Sequence, residues 1–122
     1  MSVYNESRSY AASKQVVFKQ TVAALSALGF RVKNSNEASG LIEAEKDISV
    51  RSWGEKIKIT VTSSTAGSQV NVESKAAYPL QAVDWGKNKE NVQKILTDLD
   101  SRVAADSSTP PPPPPPPPSP SP

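Results

Sequence analysis

The sequence predicts an α+β domain: a small antiparallel sheet of about four to five strands, with two helices packed on one face, in the order β-α-β-β-β-β-α. Three observations predict it. Ile57, Ile59 and Val61 alternate with Lys56, Lys58, Thr60 and Thr62, the period-two pattern of a half-buried strand. Val70 and Val72 repeat that pattern just after a turn containing Gly67, as the return strand of a hairpin would. Segments of helical periodicity flank the strands, and strands grouped between two amphipathic helices argue for an antiparallel sheet rather than alternating βαβ units.

In chain order, Val3 to Tyr10 is a short strand candidate, with Val3 and Tyr4 as its large apolar residues. Ser13 stands as N-cap before KQVVFKQTVAALSAL, where Val17, Val22, Leu25 and Leu28, with Phe18 beside them, form an apolar stripe. Gly29 is placed to end that helix as its C′ residue. Phe30 to Lys33 reads as a strand, and Asn34 to Gly40 as turn chemistry throughout. Leu41 to Lys46 is the next strand, with Ile42 and Ala44 inward; Asp47 to Ser52 is irregular or a strand extension, and Trp53-Gly54 turns the chain. Ser63 to Ser68 closes the hairpin, Val70, Val72, Ser74 and Ala76 face inward, and Pro79 ends the strand. Val92, Ile95, Leu96, Leu99 and Val103 mark the second helix, with Asp84 as its expected N-cap. The sheet face away from both helices then carries Lys56, Lys58, Thr60, Thr62, Gln69, Asn71, Glu73 and Lys75, polar but not strongly basic.

The folding unit is expected over residues 1–105, with 106–122 as a disordered polyproline tail or linker. Nine consecutive prolines from Pro110 to Pro118, followed by SPSP, can neither donate backbone hydrogen bonds nor build a core. A polyproline II rod rising about 3.1 Å per residue would extend roughly 40 Å over Pro110 to Pro122. Such a run suits a spacer, or an unidentified protein partner that reads proline-rich segments, although no arginine lies nearer to it than Arg102.

Composition narrows the function classes. The chain has no cysteine and no histidine, which removes disulfides, thiolate chemistry and the commonest metal ligand. No catalytic, cofactor-binding or metal-ligating residue is assigned, and an enzyme is disfavoured. A net charge of +2 with interspersed signs argues against nucleic acid as a partner. The N-terminus MSVYNESRSY has no basic n-region or apolar h-region, and no run reaches the about 20 apolar residues of a membrane span. A cytoplasmic protein without a membrane span is expected.

Two tryptophan–glycine turns supply the candidate interaction residues: Trp53 and Glu55 in Ser52-Trp53-Gly54-Glu55, and Asp84, Trp85, Lys87, Asn88 and Asn91 in and after Asp84-Trp85-Gly86-Lys87-Asn88. Paired indoles could stack on a ligand ring, and Asp84 beside Lys87 could act as base or cation ligand. The structural alternative is favoured for both. Each indole then plugs the edge of a small core, each glycine supplies special backbone geometry, and Asp84, Asn88 and Asn91 cap the helix and fasten the loop.

Residues 69–92 resemble a family of small, mostly bacterial domains catalogued as domain of unknown function 1499. Its pattern is an alternating strand ending in serine, a loop, D-x-G-x-N and a helix, matched here by VNVES with Ser74, then Asp84 to Asn88, then Val92. GLIEAEK, EKIKITV and the helix ending ALGF are similar in kind to the family's upstream elements, extending the likeness over most of residues 12–104. The chain departs from the family by carrying Glu73 and Asn91 where arginines tend to stand, and by a longer loop from Ser74 to Asp84. The resemblance implies the fold, in a divergent branch marked by SWGE and DWGKN, and no activity.

These readings lead to a non-catalytic binding or interaction module with a polyproline spacer. The alternatives are a small-ligand carrier or enzyme using the Trp53/Trp85 end of the sheet, and weak nucleic-acid binding by the open sheet face.

Overall fold

A computed structural model describes residues 3–46, 54–76 and 86–108. The elements follow the expected order: β1 (Val3–Tyr10), α1 (Lys14–Ala27), β2 (Arg31–Asn36), β3 (Leu41–Lys46), β4 (Glu55–Ser64), β5 (Gly67–Ala76) and α2 (Lys87–Ser108). The five strands form one antiparallel sheet in the order β1-β5-β4-β3-β2. The consecutive strands β1 and β2 therefore occupy opposite edges, and α1 carries the chain between them. Its 14 residues span about 21 Å, matching the roughly 19 Å across five strands.

Local sequence fixes both ends of α1. The Ser13 hydroxyl accepts the Val16 N–H, as an N-cap should. At the other end, Gly29 N–H donates to the Ser26 carbonyl and Phe30 N–H to the Leu25 carbonyl. This is the Schellman arrangement, and Phe30 and Leu25 both join the core as its apolar partners.

β2 runs to Asn36, further than its composition suggested. Asn34, Ser35 and Asn36 pair with Glu43, Ile42 and Leu41, and a register shift between Val32 and Asn34 marks a bulge. The bulge lets polar residues continue an edge strand whose outer side is solvated. The β4–β5 loop is shorter than the Ser63–Ser68 stretch suggested, because pairing continues to Ser64 opposite Gly67 and only Thr65 and Ala66 turn. Val3 is directed outward and is exposed, while Tyr4, Glu6, Arg8 and Tyr10 take the inner, half-buried positions of β1.

Both helices pack on one face, α1 over β2, β4 and β5 and α2 over β5 and β1, while touching each other. Between helices and sheet lies a single core, with Ile42, Ile57, Ile59, Val61, Val70 and Val72 from the sheet and Leu25, Val92, Ile95, Leu96 and Leu99 from the helices. α2 continues beyond residue 105, where the folding unit was expected to end. Residues 47–53, 77–85 and the tail from 109, which include the expected Asp84 cap, lie outside the described residues. Gly86 immediately precedes α2, and its carbonyl accepts the Glu90 N–H at 2.9 Å.

The tightest backbone approach is at Gly40, whose carbonyl accepts the Val61 N–H at 2.8 Å. A Cβ there would lie 1.9 Å from the Val61 carbonyl oxygen, at a φ of +76°. Gly40→Ala is expected to lower stability by at least about 2 kcal/mol, through overpacking and backbone strain. Urea unfolding should show this as a reduced midpoint at unchanged slope.

Candidate functional site

Of the expected interaction residues, Glu55, Asn88 and Asn91 are brought together, and they meet inside the protein. Glu55 is 2% exposed, Asn91 1%, and Asn88 and Ser74 are fully buried. Period two along β4 turns Glu55 to the same face as Ile57, and the equivalent phase of β5 turns Ser74 inward beside Val72. Asn88 and Asn91, three residues apart at the start of α2, point down onto this end of the sheet with Val92 and Ile95.

The hydrogen bonds have a fixed direction. Asn91 Nδ2 donates to Glu55 Oε1 at 3.0 Å and to Ser74 Oγ at 3.4 Å, and the Ser74 hydroxyl donates to Asn88 Oδ1 at 2.9 Å. The carboxylate can only accept, so the Asn91 nitrogen must face it. Asn91 Oδ1 then points away as a buried atom with no hydrogen-bond partner among the described residues. This network ties the first turn of α2 to the β4–β5 pair.

Gly54 and Gly86, the glycines of the two tryptophan turns, have φ of +94° and +75°. Their backbones thus lie in the left-handed region, which is the structural role expected for them. Trp53, Asp84, Trp85, Pro110 and Pro118 lie outside the described residues, as does the side chain of Lys87.

A second polar cluster, which the sequence did not single out, joins β1 to the middle of α2. Asp100 accepts the Tyr10 hydroxyl at 2.7 Å and pairs with Arg8, which also reaches Glu6 at 3.0 Å. Burial, then the bond to Asp100, pushes the Tyr10 hydroxyl well up, so it stays a neutral donor.

The uncovered face of the sheet is ordered by its register. One row crosses Glu43, Lys58 and Glu73; the adjacent row crosses Arg31, Glu45, Lys56 and Lys75. Glu45 is held at 3.3 Å by both Arg31 and Lys33. The Lys33 bond is the first cause keeping the Glu45 carboxyl below the usual glutamate range. Over this corner lies an open groove of about 360 Å³. Among the described residues no group of three or more His, Cys, Asp or Glu is placed to hold a metal ion, and no helix is long and apolar enough to cross a membrane.

Ser74→Ala removes the donor to Asn88 and one acceptor of Asn91, and is expected to cost about 1–3 kcal/mol in chemical denaturation. For Glu45, a folded-state pKa below the unfolded one means its contribution is present above the unfolded value of about 4.3. That contribution is lost as pH falls through the folded value. A carboxyl NMR titration should give Glu45 a midpoint below the ordinary value, and Lys33→Gln should move it back up.

No family model matches the sequence, and no curated protein matches it. Solved structures do. Ara h 8.0201 aligns with a TM-score of 0.58 at 14% identity, covering 85% of this chain and 98% of its own. TTHA0849 from Thermus thermophilus aligns at 0.52 and 14%, covering 88% and 100%. An uncharacterized protein from Rhizobium leguminosarum aligns at 0.51 and 11%, covering 84% and 94%. At these identities the likeness is one of fold: two helices over one face of an antiparallel sheet.

Proposed function

We propose that the domain is a non-catalytic interaction module that meets its partner through the uncovered face of the sheet, with the proline-rich tail as a spacer. One observation carries this reading: both helices lie on one face, whose side chains are committed to the core, and the other face carries mainly polar groups in register, with Val3 and Leu41 as its apolar members. Strands averaging eight residues in a five-stranded sheet give a face on the order of 650 Å², near the roughly 800 Å² per partner of a standard interface. The lack of histidine and cysteine supports the same reading over a catalytic one.

Membership of the domain of unknown function 1499 family is proposed on the residues that carry the resemblance. The serine ending the strand and the asparagine ending D-x-G-x-N are Ser74 and Asn88, which hydrogen-bond to each other. Asn91, standing where an arginine tends to occur, is buried against Glu55.

Photo-crosslinking tests the module. A benzophenone amino acid at Thr60, central on the uncovered face, should give partner adducts in cells; the same group at the exposed Gln93 of α2 should not. Equal adducts from both positions, or adducts from Gln93 alone, would overturn the reading. Adducts from Thr60 that persist after deletion of residues 109–122 would leave the tail as a spacer.

A further inference from the structure

We infer that the Lys56–Lys75 corner of the uncovered face receives an extended peptide segment of a partner protein, with a carboxylate seated between the two lysines and a basic residue two positions along. This rests on the module reading and names the chemistry of its partner.

Lys56 and Lys75 are direct cross-strand partners on β4 and β5, and both are exposed. Like charges placed directly opposite one another on a sheet face repel and destabilise the pair. Neither ammonium has an ion pair or hydrogen bond among the described residues. The neighbouring acid in their row, Glu45, is already shared by Arg31 and Lys33. A carboxylate arriving from outside would relieve this repulsion, and the groove over the corner is lined by Lys33, Glu45, Lys56, Lys58, Glu73 and Lys75.

The positive charge does not continue along the strands. One row away, about 6.8 Å, Lys58 stands between Glu43 and Glu73, so that row carries a surplus of negative charge. A nucleic-acid backbone lying along the strands would bring its next phosphate over the Lys58–Glu73 pair, which offers no net positive charge, with Glu43 beside it. An extended peptide projects alternate side chains at the same spacing of about 6.8 Å. An acid over Lys56 and Lys75 therefore places its i+2 neighbour over the Lys58–Glu73 pair of the Glu43–Lys58–Glu73 row, where a lysine or arginine can meet Glu73. The two rows together select an acid-x-base pattern over a uniform polyanion.

The test titrates the full chain at low ionic strength with the labelled probe Gly-Thr-Glu-Thr-Lys-Thr-Gly, read by NMR shifts and fluorescence anisotropy. The comparators are the same peptide with lysine in place of glutamate, and a single-stranded oligonucleotide. Shifts are expected on the outer positions of β4 and β5, with at least tenfold weaker binding of the peptide carrying lysine in place of glutamate and of the probe to Lys56→Gln/Lys75→Gln. That double substitution removes a repulsion, so the variant should fold at least as well as the parent, and Lys75→Gln alone provides a second, milder loss. No binding of the probe, unchanged binding by both variants, or tighter binding of the oligonucleotide would each overturn the inference. Thr60 adducts that persist in the Lys56→Gln/Lys75→Gln chain would leave the module standing while removing this account of its partner.

Discussion

The pairing of β4 with β5 is the constraint on which the rest of the structure depends. Ten residues of each strand pair without a break, from Glu55 opposite Ala76 to Ser64 opposite Gly67. Side chains alternate with a period of two, so a slip of one residue would turn the slipped strand over, exposing Ile57, Ile59 and Val61 if β4 moved, or Val70 and Val72 if β5 did. Burying several aliphatic side chains is worth about 1.5–3 kcal/mol each, which holds the register against any preference of the polar residues. β1 adds to β5 and β3 to β4, so both edges inherit this phase.

α2 is set on that foundation by unlike attachments. Its middle is held by apolar packing of Val92, Ile95, Leu96 and Leu99 into the sheet, which is strong but carries little direction. The polar contacts supply direction. Asn88 and Asn91 fix the first turns over the Glu55–Ser74 end, and Asp100 fixes the helix laterally against Arg8 and Tyr10 of β1. Rotating the helix about its axis would lift its one-sided apolar stripe off the sheet and also strand a buried carboxylate and a buried amide. Leaving such groups unpaired costs more than their bonds contribute, so the polar contacts sharpen an orientation that the apolar stripe already favours.

Most of the fold was legible because the strongest signals are periodic. The alternation in β4 and β5, the stripe through α1, and the cap residues Ser13 and Gly29 all act locally, and the structure places each as its pattern implies. The extension of β2 to Asn36 was not legible: Asn-Ser-Asn has turn chemistry, and only pairing with β3 around a bulge makes it strand. The burial of Glu55 and Asn91 was half legible. Glu55 lies two residues before Ile57, and Asn88 and Asn91 lie at helical spacing from Val92 and Ile95, so the periodicity already put them on the inner face. Residue type argued the other way, since a carboxylate is rarely buried unless paired. The pairing depends on Asn91 meeting Glu55 across 36 residues, a distance that no local pattern reports.

The two faces of the sheet thus divide the work in a way that also explains where unfavourable charge is tolerated. On the inner face an unpaired polar atom sits in a low-dielectric core and costs dearly, so nearly every group in the Glu55 network is satisfied. On the outer face two unit charges about 5 Å apart interact by less than about 1 kcal/mol in water, so the Lys56–Lys75 pair can be carried without endangering the fold. That repulsion grows when a partner excludes water, unless the partner brings the opposite charge. A like-charge pair that is cheap when exposed and costly when covered therefore discriminates against apolar or basic surfaces at the moment of contact, and it does so from residues whose backbone the core holds rigid.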